Sequence, residues 1–284
     1  MKSRRRPYLA LAALTAVAVA VAAFASARAA TIFSDDFSGG TGDINGTTPD
    51  VTTGVNWVAS EQFNANGSID DTTNGASATK GGSATLAFTP VNGLIYTLDA
   101  SFTGVTGGDN WLALGFVYGQ SSVITAENRF LTDPLAAPLG TIGKAWMLYR
   151  GDTNPNPTAD PHVSYLGTAT TGNSSGTNFA TAFPNPDVPS GSSIDLRVVL
   201  DTTLGTGAWA ATWYAKRPAD SSYTEVRSTA TLLNETINAV GIAKANNLIT
   251  GTIESFSLTS VVPEPSCLAL LGCGSLLLLR LRRR

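Results

Sequence analysis

Alternating apolar and polar positions mark two long segments near the middle of the chain. From Leu94 to Phe102, apolar residues at the even positions alternate with mostly polar ones, and Ile194 to Asp201 repeats the pattern. A period of two is typical of a strand with one face buried and the other in solvent. Both segments are therefore predicted to be half-buried β-strands.

A third segment, Trp111 to Tyr118, is apolar at nearly every position, which predicts a central strand covered on both faces. No helical period extends beyond a few turns between residues 31 and 261. Nine or more strands without a helix predict an all-β, two-sheet antiparallel sandwich. The further predicted strands are Ala84 to Thr89, Ala145 to Arg150, Ala208 to Ala215, Thr224 to Leu232, Ile237 to Ala243, Thr252 to Thr259 and, shorter, His162 to Thr168.

The N-terminus has the pattern of a secretory signal peptide. Basic residues from Lys2 to Arg6 precede an apolar run from Leu9 to Ala25, and small residues follow it. This order predicts a signal helix within residues 1–29 that is removed at a site between Ala27 and Ala30. The globular domain is then expected to span residues 30–261.

The C-terminal segment, residues 262–284, combines rigid prolines, a short apolar run and a basic end. Pro263 and Pro265 keep the chain extended, and Ser266 is a good N-cap for a helix from Cys267 to Leu279. Thirteen residues reach only about 20 Å, so the helix is a marginal span of a hydrocarbon core about 30 Å thick. The basic end is expected to stop transfer and stay cytoplasmic, leaving the body outside; its residues are Arg280, Arg282, Arg283 and Arg284.

Pro263, Glu264, Pro265 and Ser266, followed by the apolar helix and the arginine cluster, resemble the PEP-CTERM sorting signal of Gram-negative bacteria that produce exopolysaccharide. The resemblance implies recognition of the Pro-Glu-Pro motif by an exosortase, a membrane-embedded transpeptidase-like enzyme. It also implies export through the inner membrane, anchoring by the tail helix, and then removal of the helix as the body is released or attached at the cell surface or in the matrix. The resemblance concerns location and not activity.

The body resembles the laminin-G-like or concanavalin-A-like domains, which implies a jelly-roll sandwich. In such folds the first and last strands lie side by side, so Thr31 to Phe37 is expected to pair with Ile253 to Thr259. The segments that carry the resemblance are Phe33 to Phe37, Asn45 to Asp50 before Trp57, Trp111 to Phe116, Asp195 to Thr203 before Trp209, and Phe256 to Thr259.

Charge and cysteine content exclude several classes of ligand and metal site for the globular domain. The formal net charge is −3, but the basic residues are concentrated at the two ends. Between Thr31 and Val261 there are nine basic and 20 acidic residues, a net charge of −11, which argues against nucleic acid and anionic lipid as ligands. Both cysteines, Cys267 and Cys273, lie in the tail, so the body has neither disulfides nor thiolate metal sites.

The chain lacks a familiar hydrolytic motif, so we expect a protein that is not an enzyme. Sandwich glucanases use a Glu-x-Asp-x-Glu strand, which sets two carboxylates on one face at the spacing of an acid and a nucleophile, and this pattern is absent from the sequence. His162 is the only histidine, which is too few for a zinc site. The alternative is a polysaccharide hydrolase of unfamiliar type using loop carboxylates such as Asp109, Glu127 or Asp152, which needs two carboxyl groups roughly 5–10 Å apart.

Acidic turns make calcium the one metal to consider; no other cofactor is expected. Asp35 and Asp36 are adjacent, Asp70 is followed by a second aspartate, and Asp109 lies between Gly108 and Asn110. Oxygen-rich turns of this kind coordinate hard cations. The other interpretation is that these are solvated turn acids, which is the commoner role of aspartate in turns.

Aromatic residues suggest extracellular polysaccharide as a ligand. Flat rings stack on sugars, but most tryptophans in a sandwich fill the core, and this is expected of Trp111, Trp146, Trp209 and Trp213. Trp57, beside a Thr- and Asn-rich segment, and Tyr165, between two long connections, are expected to be exposed and to bind carbohydrate. The leading hypothesis is thus a non-catalytic surface or matrix protein that binds polysaccharide or fills the matrix.

Overall fold

The predicted alternating segments form strands, and the described residues contain strands and connections but no helix. The computed structural model describes residues 29–59, 63–70, 82–106, 111–118, 142–150, 165–167, 177–178, 191–205, 207–232, 237–244 and 250–263. Its strands are β1 (Ala30–Asp35), β2 (Thr41–Asp43), β3 (Val58–Ala59), β4 (Asn64–Asn66), β5 (Ile69–Asp70), β6 (Gly82–Ala87), β7 (Ile95–Thr106), β8 (Trp111–Tyr118), β9 (Ile142–Arg150), β10 (Tyr165–Gly167), β11 (Thr177–Asn178), β12 (Ile194–Asp201), β13 (Trp209–Lys216), β14 (Thr224–Leu232), β15 (Ala239–Lys244) and β16 (Thr250–Val261).

These strands form two antiparallel sheets, and the described residues between Ala30 and Val261 belong to one compact unit. In the larger sheet the order is β14-β13-β12-β7-β16-β5-β4-β2, with β1 also paired to β16. In the smaller sheet it is β11-β10-β9-β8-β15-β6-β3. The arrangement is the two-sheet jelly-roll sandwich that the sequence predicts.

The core lies between the two sheets. Along β12, buried and half-buried residues alternate without interruption, as the period of two predicts. Tyr96, Leu98 and Phe102 of β7 are buried on the same side. They join Leu114 of β8 in one apolar cluster with side chains from both sheets. Burial of apolar surface on facing sheets is the main stabilising term of such a fold.

Strand β8 is the central strand that the sequence predicts. It lies between β9 and β15, and every side chain from Leu112 to Val117 is buried. One face contributes to the main core, and the other joins a second buried cluster that includes Ala113, Trp146 and Leu148. Both faces are therefore covered, and Trp146 and Leu148, two residues apart on β9, lie on the second one.

The first and last strands pair, also as predicted. Thr31 of β1 lies opposite Thr259 of β16, and Asp35 lies opposite Phe256. Strand β16 forms ten pairs with β7 on its other side. The N- and C-terminal strands therefore meet beside the centre of the larger sheet.

Several sequence predictions concern residues outside the described ranges. These are the signal helix, the tail helix and its arginines, the sorting residues Glu264, Pro265 and Ser266, and the loop residues Asp109, Glu127, Asp152 and His162. Among the described residues, none belongs to an apolar helix of the length needed to cross a bilayer.

Candidate functional site

Three carboxylates meet where β1 ends. Asp35 is the last residue of β1, Asp36 follows it, and Asp50 arrives from the next connection. An isolated bridge between Ser34 and Val51 holds the two segments together. The three carboxylates each place an oxygen within 4.8 Å of the others. We call these three residues the acidic cluster.

Hydrogen bonds to the chain fix the acidic cluster in place. Asp35 Oδ1 accepts from the backbone N–H of Phe37 at 2.8 Å, and Asp36 Oδ1 accepts from that of Ser38 at 2.9 Å. Asp50 Oδ2 accepts from the N–H of Asp36 at 3.0 Å. Such turns by aspartate side chains let Phe37 adopt the left-handed conformation, with φ at 56°.

Electrostatics distinguish the two neighbouring aspartates. Asp35 is 8% exposed, and burial raises the pKa of its carboxyl group; the charges of Asp50 and Asp36 raise it further, against hydrogen bonds from Trp57 and Phe37 that lower it. Asp36 is exposed, and hydrogen bonds from Ser38 hold the pKa of its carboxyl group below the ordinary value. A cation would favour the ionised form of Asp35.

The prediction that Trp57 is exposed is wrong. Its side chain is 1% exposed, and its indole N–H donates to Asp35 Oδ2 at 2.7 Å. Phe37 and Phe256 contact the ring, with centroids 6.0 and 5.2 Å away. The apolar neighbours come from distant parts of the chain, so the polar local sequence concealed a core position. A ring enclosed in this way is not available for a sugar to stack on.

Calcium chemistry fits the acidic cluster in donor type. Ca²⁺ binds six to eight oxygens, and three clustered carboxylates supply a share of them. Asp35 and Asp36 were predicted from the sequence as candidate ligands, whereas Asp50 was not. Each carboxylate also accepts a backbone or indole N–H, so the same residues build the turn. Asp109 lies outside the described residues.

Tyrosines and the remaining tryptophans divide between the core and the surface. Tyr165 lies in β10, opposite Leu148 of β9. Its side chain is not among those described, so its exposure and its binding of carbohydrate stay predictions. Tyr149 is buried, and burial raises the pKa of its hydroxyl to about 12. Trp213 fills the core as expected and donates its indole N–H to the carbonyl of Trp146 at 3.1 Å, which links the two sheets.

Trp209 differs from the other described tryptophans because only part of its ring packs on the core. It begins β13, at the end of the larger sheet, and is half-buried. Its indole N–H donates to Asn92 Oδ1 at 2.7 Å. Val91, beside Asn92, is 62% exposed, and Leu204, in the connection before β13, is 64% exposed. We call Val91, Asn92, Leu204 and Trp209 the aromatic end.

Thr202 ties the two connections of the aromatic end together. It is fully buried, and its hydroxyl lies 2.8 Å from the carbonyl of Val91 and 2.7 Å from that of Leu94. Its backbone N–H donates to Leu94 O at 3.0 Å, and its carbonyl accepts from Gly93 at 3.1 Å. Side-chain and backbone bonds of this kind hold loops in one conformation. Hydrogen bonds of Thr202 therefore join the two connections of the aromatic end.

Sequence reasoning missed the aromatic end, although it contains visible signals. Asn92-Gly93 is a turn signal before β7, and the Thr- and Gly-rich run from Thr202 to Gly207 precedes Trp209. A tryptophan that directly follows such a turn lies at the end of a sheet, where burial is incomplete. Assigning Trp209 to the core was therefore only partly right.

The outer face of the larger sheet carries two ion pairs between neighbouring strands. Arg197 Nε lies 2.6 Å from Asp99 Oδ1, and the guanidinium stacks on the ring of Tyr223 with 3.8 Å to the centroid. Lys216 Nζ lies 2.9 Å from Asp195 Oδ2 on the neighbouring strand. These pairs join β7, β12 and β13 and reinforce the sheet.

The chain leaves the sandwich at an exposed position. Strand β16 ends at Val261, and Val262 is 62% exposed. Pro263, the first residue of the motif predicted for sorting, follows it and is half-buried. The start of the motif thus lies beyond the last strand and not within it.

Comparisons with known proteins give matches only among solved structures. No protein-family model matches the chain, and no curated protein matches it either. Solved lectin structures are similar to this chain. The metal-free form of lectin I-B4 from Griffonia simplicifolia is 14% identical, covers 82% of this chain and 99% of its own, and has a TM-score of 0.44.

Two further structures extend the comparison. A lectin from Bauhinia forficata, in complex with GalNAc, is 12% identical, with a TM-score of 0.49 over 83% of this chain and 98% of its own. The CBM2 module of the evolved Dit protein of Lactobacillus casei BL23 phage J-1 is 10% identical, with a TM-score of 0.43 over 83% and 97%. At these identities the similarity concerns the fold alone.

Proposed function

We propose that this protein is a non-catalytic component of the cell surface or extracellular matrix that binds polysaccharide through its sandwich domain. The observation that carries the proposal is the aromatic end, where the ring of Trp209 is partly open to solvent and two exposed aliphatic side chains lie in loops locked by Thr202. Sugar sites combine a flat apolar surface with polar groups that fix orientation. The amide of Asn92 is such a group, and it already positions the indole.

Hydrogen bonding between the two connections of the aromatic end supports this proposal. Binding a flexible polymer costs conformational entropy, and a binding surface that is already ordered adds little to that cost. The bonds between Thr202 and the opposite connection supply this order. Single rings bind weakly, so retention on an insoluble polymer is expected to need many copies of the protein or repeated contacts.

Retention and hydrolysis assays test the proposal together. The full chain is incubated with a panel of insoluble polysaccharides, and both bound protein and released reducing sugar are measured. We expect retention on at least one polymer and no release of sugar above the blank. Sugar release would instead favour the hydrolase hypothesis. Retention on none of the polymers would refute the binding function.

The location follows from the proposed sorting signal. We propose that an exosortase recognises Pro263, Glu264 and Pro265 and removes the tail, after a signal peptide has directed export. The exposed position of Val262 supports this, because a processing enzyme needs an accessible, extended segment. Until it is processed, the short tail helix anchors the body outside the inner membrane.

Intact mass measurement tests the sorting proposal. In cells that contain the exosortase, surface protein is expected to lack the mass of the apolar tail. Replacing Pro263, Glu264 and Pro265 by alanine is expected to leave full-length protein in the membrane. A normal processed mass in that variant, or full-length wild-type protein at the surface, would contradict the proposal.

Calcium is the cation we propose for the acidic cluster. The support is the chemistry of Asp35, Asp36 and Asp50, whose oxygens lie within 4.8 Å of one another, together with the raised pKa of Asp35. Calcium bound there would join β1 to the segment around Val51. A rise in melting temperature with calcium that is lost in Asp50→Asn would support this site, and no rise would contradict it.

A further inference from the structure

We infer that the aromatic end selects neutral polysaccharides built from pyranose rings with equatorial hydroxyl groups. This inference rests on the proposed polysaccharide-binding function and names its ligand class. It follows from three properties of the aromatic end: its apolar surface, its lack of positive charge, and the engaged indole N–H of Trp209.

The aromatic end exposes an apolar surface. Val91 and Leu204 are 62% and 64% exposed, an unusual exposure for large aliphatic residues. They lie in the two connections that Thr202 joins, and the first connection also holds Asn92, which accepts the indole N–H of half-buried Trp209. A pyranose with equatorial substituents has C–H groups on both faces of the ring, so it presents an apolar face to such a surface. An axial hydroxyl interrupts that face and would be desolvated without a partner.

Charge excludes the acidic polymers. The segments 90–94 and 202–209 contain neither lysine nor arginine in the sequence. Asp201, at the base of the second connection, is an acceptor for both the N–H and the hydroxyl of Thr203, at 2.8 and 2.6 Å. With a net charge of −11 on the body, polymers of uronic acids or sulfated sugars are repelled.

The indole N–H of Trp209 is already engaged. It donates to Asn92 Oδ1 at 2.7 Å, which fixes the orientation of the ring. The contribution of Trp209 to recognition therefore comes from its ring surface and not from a hydrogen bond of the indole to a hydroxyl group. Stacking of this kind depends on the shape of the sugar ring and hardly on salt.

The test measures retention of the full chain on three polymers, each immobilised on the same insoluble support without calcium. Cellulose is neutral and all-equatorial, mannan is neutral with an axial hydroxyl at each ring, and alginate is a polyuronate. We expect the order cellulose, then mannan, with alginate not above the blank. Retention on cellulose should be unchanged between about 0.05 and about 0.5 M NaCl, because no ion pair is involved.

Variants locate the site. Trp209→Ala is expected to weaken binding to cellulose about tenfold, the loss expected for one stacking contact, while Trp209→Phe retains most of it. Leu204→Ser removes an exposed side chain without touching the core and should weaken binding several-fold. Val51→Ser is the matched control. Val51 is 43% exposed and does not belong to the aromatic end, so its replacement should leave retention on cellulose unchanged.

The outcomes separate the two levels of the proposal. Failure to bind any polymer, of these three and of the wider panel, would refute the polysaccharide-binding function itself. Preference for alginate or mannan would overturn the ligand class and leave the function standing. Unchanged binding in folded Trp209→Ala and in Leu204→Ser would overturn the site, and the second variant decides the question alone if the first does not fold.

Discussion

At the scale of single residues, Trp57 and Asp35 form the most informative pair. An indole N–H buried in a core needs an acceptor, and Asp35 supplies one at 2.7 Å. The carboxylate in turn needs donors to remain ionised while 8% exposed, and it has Trp57 and Phe37. Each residue therefore satisfies a group that would otherwise be buried without a partner.

Replacing Trp57 tests this structural role. Trp57→Ala removes a large buried ring and leaves Asp35 without one donor, so the free energy of unfolding should fall by about 4 kcal/mol. Trp57→Phe keeps most of the ring but loses the N–H donor, so the free energy of unfolding should fall by about 1–3 kcal/mol. Urea denaturation measures both. A stable Trp57→Ala protein that loses polysaccharide binding would restore the original surface assignment.

The raised pKa of Asp35 predicts a pH dependence. The folded protein holds this proton more tightly than the unfolded chain, so the contribution of Asp35 to stability is fully present below the ordinary value of 3.8 and is lost as the pH rises through the raised pKa. The free energy of unfolding of wild type minus that of Asp35→Asn should therefore fall with rising pH in that window. Urea denaturation at a series of pH values, without calcium, checks it.

Asp36 is the internal control for the pH series. Its pKa is lowered, so its contribution is present above 3.8 and is lost as the pH falls through the lowered value. The difference between wild type and Asp36→Asn should rise with pH, opposite in sign to that for Asp35. Two difference curves with the same sign would show that the assignment of the two carboxylates is wrong.

At the scale of elements, the sequence predicted strands well where one face meets the core. Strands β7 and β12 lie within one or a few residues of their predicted bounds, because burial on one side forces alternation. The short strands β2 to β5 were not predicted. These strands have only two or three residues each, which is too short for a period of two to appear in the sequence.

The candidate sites were harder to predict because segments distant in the sequence form them. Asp35 and Asp36 are adjacent in sequence, but Asp50 joins them only through the pairing of Ser34 with Val51. The aromatic end brings together two connections more than 100 residues apart, through Thr202 and Leu94. Contacts of this kind depend on strand order, which alternation does not specify.

Because β15 pairs closely with β6, we expect that a side chain at Gly241 destabilises the fold. A Cβ atom at this position would lie 2.2 Å from the carbonyl oxygen of Ala84 and 2.9 Å from Thr85 Cγ2. Gly241→Ala must therefore displace backbone, and we expect a loss of at least about 1–3 kcal/mol in the free energy of unfolding. Gly40→Ala, with open space around its Cβ, is the control and should change stability little. Similar melting temperatures for both variants would contradict the observed pairing.

At the scale of the whole molecule, both ends of the sandwich lie on one strand pair. Ala30 lies opposite Ser260, so the first residue of β1 and the end of β16 are neighbours in the larger sheet. Strand β16 carries Ile253, Phe256 and Leu258 into the core. Processing immediately after the domain leaves these contacts intact, whereas a cut a few residues earlier removes them.

Two truncated chains test this arrangement. A chain from Ala30 to Val262 should melt at the same temperature as the chain from Ala30 to Arg284, because β16 is complete. A chain from Ala30 to Gly251 loses nine of the ten pairs with β7, all five with β1 and three buried side chains. Each such side chain contributes about 1.5–3 kcal/mol, and their sum approaches the whole stability of a typical domain, about 5–15 kcal/mol. Calorimetry should show no cooperative transition for it; a cooperative transition near that of the full domain would mean that β16 does not complete the sheet.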